Sequence, residues 1–286
     1  MSTPSGNEQV GSAFLLKIAG LLVGGGTGLT HTVTADQLDL TQKTGNRWLR
    51  RLASLRGHTT AFELDFQDDG SEFIGRGGAS VEIDPGTGFI VVPGVSELTM
   101  SMNMTVEEVS GFDLNQWVYV ISNRKDISYS VTANYLDPDT AAGAAIAEVI
   151  DSLSADATIG MRATVGSVIV EGDVKVGEWT FDSDADGIQP FSFEAMSQGA
   201  NTLTTGAADP AVAALMDEFF DPDPGPVEFL TENVDGAGDL VPGATSYAGE
   251  GLLTSLEFNV PDESQVTISG ELTGNGPLTT ELQPTA

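Results

Sequence analysis

Along most of this chain apolar residues alternate with polar ones, and only a few short segments show helical spacing. Residues 29–40 (Leu-Thr-His-Thr-Val-Thr-Ala-Asp-Gln-Leu-Asp-Leu) are rich in β-branched side chains and alternate toward their end, which predicts a strand. From Ala61 to Phe66 apolar and acidic residues alternate, as in a half-buried strand, and Asp68-Asp69-Gly70 reads as its closing turn. Between these strands Trp48, Leu52 and Leu55 fall at i, i+4 and i+7, bracketed by Gly45 and Gly57. That spacing predicts a short helix over residues 46–55 with a basic flank. Two further helical runs are expected, Ala141 to Leu153 and Ala211 to Phe220. The second is ended by Pro222-Asp223-Pro224-Gly225-Pro226, and strands reaching Glu171-Gly172 and Glu250-Gly251 follow the two runs.

The pattern repeats. Laying Leu98-Thr99 on Leu29-Thr30 also brings Asn115 onto Asn46, Trp117 onto Trp48 and Asp137 onto Asp68. Two of the three tryptophans thus coincide without a gap, together with the alternating strands that follow. A second, slightly longer offset lays Gly274, Leu278, Thr279 and Thr280 on Gly199, Leu203, Thr204 and Thr205. The blocks run front, front, back, back. They predict a flexible N-terminus (1–9), an outer domain built from 10–69 plus 206–286, a connecting segment (70–95) and an inner domain (96–205). Exchange of strands between tandem units is the alternative order. The expected fold class is mainly β (α+β): two β-sandwich or barrel units, each with a flanking helix.

Composition narrows the function. The 286 residues include 42 acidic and 11 basic side chains, a formal net charge of −31, and no cysteine. A disulfide framework, Cys-ligated zinc and a thiol nucleophile are therefore excluded. Two histidines leave little for a His-based metal site or proton relay. The charge argues against a generic duplex-binding surface, which needs Lys and Arg to neutralise phosphates. Such an acidic, lysine-poor surface repels itself unless dense counter-ions screen it, the composition of proteins from extreme halophiles. The charge is also uneven: from Met1 to Thr60 the cations Lys17, Lys43, Arg47, Arg50, Arg51 and Arg56 outnumber Glu8, Asp36 and Asp39. The apolar run from Ala13 to Val23 is interrupted by Lys17 and is shorter than the ~20 residues of a membrane span, so it reads as core strand.

Few motifs carry chemistry. Val23-Gly24-Gly25-Gly26-Thr27-Gly28 lacks the Lys-Ser/Thr ending of a phosphate loop and reads as a hairpin loop. Asp182, Asp184 and Asp186, followed by Gly187, match the opening of a calcium loop, but Phe193 stands where the closing Glu belongs. An acidic hairpin turn is the simpler reading, and the three aspartates remain a weak metal candidate. No nucleophile elbow is present, no carboxylate pair stands apart as an acid/base couple, and His31 and His58 read as surface or interface residues. No catalytic residue, cofactor or enzymatic activity is expected. The cluster Lys43, Arg47, Arg50, Arg51 and Arg56 is best matched to an acidic neighbouring subunit or ring.

Several stretches together resemble a known family. Phe14-Leu15-Leu16-Lys17-Ile18, the strand through Asp39-Leu40-Thr41, Lys43, Trp48, Leu52 and the strand Phe62 to Phe66 resemble the front half of major tail proteins. These are the tail tube proteins of long-tailed, non-contractile viruses. The helix after Asp209-Pro210, Val227-Glu228-Phe229, the run Tyr247 to Leu256 and the ending Thr273-Gly274-Asn275-Gly276-Pro277-Leu278-Thr279 resemble the back half. The resemblance implies sheets that close into a ring-wide inner β-barrel, with rings stacked into a conduit for the viral genome. A duplicated fold implies homotrimeric rings of pseudo-sixfold symmetry. Other tail proteins would then meet the tube ends, and duplex DNA would pass without specific binding or a membrane span. The virion tail is the implied location, after synthesis in the host cytoplasm. A tail-tip or baseplate ring protein of the same fold competes with the tube subunit. A cation-binding β-sandwich adhesin competes from another class, and a two-carboxylate glycosidase is the weakest alternative.

Overall fold

The computed structural model describes residues 14–18, 21–23, 26–40, 50–65, 67–68, 72–73, 79–109, 117–136, 143–182, 189–206, 210–220, 225–231, 245–261 and 266–282. They form a mainly β molecule with two helices, as the alternation predicts. Fifteen strands join one antiparallel sheet, which is not closed.

The strands fall into two series. The first comprises β1 (Phe14–Ile18), β2 (Leu21–Val23), β3 (Gly26–Leu40), β4 (Arg50–Asp65), and, at the other end of the chain, β15 (Gly225–Thr231), β16 (Thr245–Val260) and β17 (Thr267–Leu282). They pair in the order β2-β1-β15-β16-β17-β4-β3. The second comprises β7 (Ala79–Asp84), β8 (Ile90–Val91), β9 (Val95–Val109), β10 (Tyr119–Asn134), β11 (Thr158–Val165), β12 (Val168–Phe181), β13 (Pro190–Ser197) and β14 (Thr202–Thr205). Its order is β8-β7-β11-β12-β13-β10-β9, with β14 extending the β13 side of β12. Position for position the two orders are the same. A hairpin of β5 (Gln67–Asp68) and β6 (Glu72–Phe73) lies apart.

The offset that lays Trp117 on Trp48 carries the bounds of β3 and β4 onto those of β9 and β10 without remainder. The later strands obey a different offset from the expected one. Val168 pairs with Thr205 as Thr245 pairs with Leu282, and the irregularity after Leu253 falls on the one after Val176 by the same offset. Gly276 therefore falls on Gly199, both with positive φ, and Gly274 does not. The expected alignment is out by two positions. Such a slip keeps every side chain on its own face, so alternation alone cannot detect it.

Two further expectations are corrected. The helix over residues 46–55 is absent where the chain is described: from Arg50 onward it is strand, with Leu52 opposite Leu38 and Arg51 opposite Asp39. Strand pairing along a 16-residue β4 overrides a local helical spacing of three apolar residues. The segment 70–95, expected only to connect, supplies β7 and β8, and β7 pairs with β11 from Ala79 to Asp84. The helices stand as expected, α1 at Ala144–Ala155 and α2 at Pro210–Phe220.

One face of the sheet is the core. Along β9 Leu98, Met100 and Met102 are buried at every second position, and Ile127, Tyr129 and Val131 repeat this on β10. The helices cover this face: α1 places Ala145, Ile146 and Val149 against it near β12, and α2 places Val212, Leu215, Met216 and Phe219 near β16. Gly270 on β17 lies opposite Phe62 on β4, whose ring lies across it; a Cβ there would stand 2.6 Å from Phe62 Cζ and 2.8 Å from the Ser255 carbonyl oxygen. The ring can rotate away, but the backbone oxygen cannot. Gly270→Val is expected to destabilise the fold by about 1–3 kcal/mol. Its thermal midpoint in molar salt should fall several degrees below that of the parent chain, and an unchanged midpoint would refute the packing.

Candidate functional site

The opposite face of the same strands is polar, because alternation that puts Met100 and Met102 inside puts Ser101 and Asn103 outside. In register across the sheet run Glu63 (β4), Ser269 (β17), Glu257 (β16), Ser101 (β9) and Ser128 (β10). The neighbouring row is Ala61, Glu271, Ser255, Asn103 and Asp126. Ser101 Oγ donates to Glu257 Oε2 at 2.8 Å, which fixes the two strands side to side. A shallow depression of about 340 Å³ lies over these rows, floored by small residues such as Ala61, Ser101 and Ser269 and edged by Glu257 and Glu271. Arg124 on β10 stands exposed on this face, one row beyond Asp126, and the cations farther along it, on β11 and β12, are engaged with carboxylates. Arg162 donates to Glu82 and Glu171 at 2.9 Å each, which raises its pKa, and Lys175 pairs with Asp156. The two rows offer small hydroxyls and the carboxylates of Glu63, Glu257, Glu271 and Asp126, with Arg124 as the cation at their border. Such a face repels polyanions and gives an apolar ligand no purchase.

The two series also meet through a knot of close contacts at Gly274-Asn275-Gly276 on β17. The Val120 N–H donates to Asn275 Oδ1 (2.9 Å), and the Gly276 N–H donates to the Val118 carbonyl (2.8 Å). The Val118 N–H donates in turn to the Arg56 carbonyl of β4 (2.8 Å). Gly276, at φ +84°, has the Tyr119 ring where a side chain would begin. Gly274 leaves room for the His58 imidazole, which meets Trp117 edge to face at 6.2 Å between centroids. His31 lies 5.7 Å from His58 between ring centroids, and His31 Nδ1 lies 2.8 Å from Thr60 Oγ1.

His58, expected at the surface or an interface, is buried where the two series meet, exposed by only 3%. It shares a face with Thr60, Phe62 and Leu64, all buried, but the polar residues between it and Phe62 hide that periodicity in the sequence. His31 is half-buried. Of the predicted contact cluster, Arg50, Arg51 and Arg56 lie on β4, with Arg56 exposed, while Lys43 and Arg47 fall outside the described residues. Asp182 is exposed just after β12, and Asp184 and Asp186 lie outside the described residues. Among the described residues there is no cluster of three metal-ligating side chains, and no helix is long and apolar enough to cross a membrane.

Burial pushes the His58 imidazole down from 6.5 to about 4, with a smaller push from the His31 ring. Between those two values the unfolded chain takes up a proton that the folded chain refuses. This contribution to stability is therefore complete above pH 6.5 and is lost as the pH falls toward 4, by up to about 3 kcal/mol. An NMR titration of the His58 ring in molar salt should show it neutral at pH 5. A midpoint near 6.5 would contradict the burial.

No family model matches the chain, and no curated protein matches it. Among solved structures the chain is similar to the tail of an empty gene transfer agent particle, determined by helical refinement in C6 symmetry, at TM-score 0.39 and 15% identity. That match covers 45% of this chain and 96% of the other. It is also similar to the virion of the native gene transfer agent particle, at TM-score 0.38 and 15% identity over 44% of this chain and 95% of the other. A third similarity is to the sixfold-symmetrised baseplate of the anti-feeding prophage, at TM-score 0.36 and 9% identity, covering 47% of this chain and 95% of that one.

Proposed function

We propose that this chain is a structural virion protein, the tail tube subunit of a virus with a halophilic host. Its two strand series are read as two tail-tube-like units. The outer is assembled from the two ends of the chain (10–69 plus 206–286), and the inner is the continuous stretch 96–205 extended backward to take in β7 and β8. The observation that carries this reading is the identical strand order of the two series within one open sheet. A repeated unit joined edge to edge is half-way to a ring, and a heterologous contact that closes makes one. Three chains then supply six units, giving a homotrimer with pseudo-sixfold symmetry whose sheets close into a common inner barrel.

The polar face with Glu63, Glu257, Glu271 and Asp126 suits the wall of a conduit, because duplex DNA slides past an anionic surface without binding it. No catalytic residue or cofactor enters this function. Lys43 and Arg47, outside the described residues, and Arg50, Arg51 and Arg56 on β4 are assigned to contacts with acidic surface on the next subunit or ring. Other tail proteins would cap the stack, and the virion tail is the location.

Electron microscopy of the purified protein in molar salt tests the reading directly. Rings of threefold true symmetry and about 90 kDa, three times the 29.8 kDa chain, are expected, stacking into hollow tubes. Rings of six whole chains would overturn the two-unit assignment. Dialysis to about 0.1 M salt, where the Debye length reaches ~10 Å, should dissociate the rings or unfold the subunits, since each chain carries −31. Assemblies that survive that dialysis intact would count against a salt-dependent ring.

A further inference from the structure

The two strand series are joined by one stretch of antiparallel pairing, β9 of the second series against β16 of the first, from Leu98 opposite Val260 to Asn103 opposite Ser255. Each strand of this junction has a counterpart. The offset between the front blocks turns β9 into β3, and the offset between the back blocks turns β16 into β12. Neither counterpart has the corresponding neighbour. Strand β3 pairs with β4 on one side, and among the described residues no strand pairs with its other edge. Strand β12 pairs with β11 only as far as Lys175, so its last stretch, to Phe181, has β13 on one side and no strand among the described residues on the other. The sheet thus ends in two halves of a junction it already contains once.

Burial sharpens the comparison. Met102 and Phe258, on the two sides of the internal junction, are both 0% exposed. Their counterparts are Val33 on β3 and Phe181 on β12, which are 54% and 46% exposed and are two of the few large apolar side chains left in solvent. These residues carry the apolar character of a junction core without its cover. An exposed strand edge with apolar side chains pairs with whatever complementary edge it meets unless charge or a bulge prevents it.

We infer that the outer edge of β3 in one copy of the chain pairs antiparallel with the end of β12 in the next copy, in the register of the internal junction. Thr34 then lies opposite Glu178, Val33 opposite Trp179, Thr32 opposite Thr180, and His31 opposite Phe181. The contact is heterologous: one copy offers its β3 edge and receives its neighbour on β12, so the same rotation repeats around a closed ring. Main-chain hydrogen bonds supply the affinity, and burial of Val33 and Phe181 selects the register. The inference rests on the ring-forming reading above and names the contact that makes the ring.

The absence of cysteine allows a direct test. The double variant Thr32→Cys, Thr180→Cys places two thiols at positions predicted to be opposite, where the internal junction has Ser101 and Glu257 in hydrogen-bond contact. Oxidation of the assembled protein in molar salt should give a ladder of covalent multimers on a non-reducing gel, ending at the ring size. The pair Gly28→Cys, Thr180→Cys is out of register by roughly 13 Å, beyond disulfide reach, and should give little or none. Val33→Asp, on an exposed side chain, should leave far-UV circular dichroism and the thermal midpoint of the subunit unchanged and reduce assembly at least tenfold. A ladder as strong from the out-of-register pair, rings without any ladder, or a chain that stays monomeric would overturn the inference. Rings without a ladder would leave the tail tube reading standing, whereas a ladder from particles that never stack into tubes would support the contact and count against that reading.

Discussion

Main-chain pairing between β9 and β16 is the constraint from which the rest of the architecture follows. Each series is an incomplete sheet with ragged ends, and the pairing from Leu98 to Asn103 fuses them into one. It also sets which face is which. With Met100, Met102, Leu256 and Phe258 turned to the helices, the hydroxyls and carboxylates of Ser101, Ser255, Glu257 and Asn103 are committed to the other side. A one-residue slip at this seam would invert both faces for half the molecule. The Ser101–Glu257 hydrogen bond and the docking of Tyr119 and Val120 on Gly276 and Asn275 pin the seam at two separate points.

Much of the fold is legible in the sequence because the relevant signals are local and periodic. The strand stretches 29–40 and 61–65 and the two helices carry their own alternation or spacing, and the front-block offset shows in Trp48 and Trp117 because no insertion interrupts it. What is not legible depends on partners far away in sequence. Residues 50–55 have a helical spacing of apolar side chains, but opposite them stand Leu38, Asp39 and Leu40 on a strand already committed to β. The true offset of the back blocks is visible only in which carbonyl meets which N–H, since a slip of two positions preserves every apolar position. The alternating run to which His58 belongs starts in polar residues, Thr59 and Thr60, so its burial shows only once the pairing of β4 is known.

The polar face follows the same logic at the level of charge. In a chain of net −31 almost any surface is acidic, so composition alone could not nominate a site. The distinction lies in how positive charge is disposed. Arg162 and Lys175 are held by carboxylates at the margin, and Lys125 lies over the Phe219 ring on the helix side. Arg124 borders the rows through Glu257 and Glu271 on β10, and within the rows themselves stand small side chains and four carboxylates.

The placement of one series inside the other also has a consequence for the order in which the molecule can form during synthesis. By the time Thr205 leaves the ribosome, every strand of the second series has its partners available, whereas β4 cannot meet β17 until Thr267 has been made. Until then the β3–β4 ribbon has no partner strand beyond itself, and a two-stranded hairpin is of marginal stability on its own. The finished second series presents β9 as a standing template, and β16 adds to an edge that already exists. The order of synthesis thus allows the sheet to grow from the middle of the chain outward, with β17 the last strand to become available, between β16 and the ribbon made first.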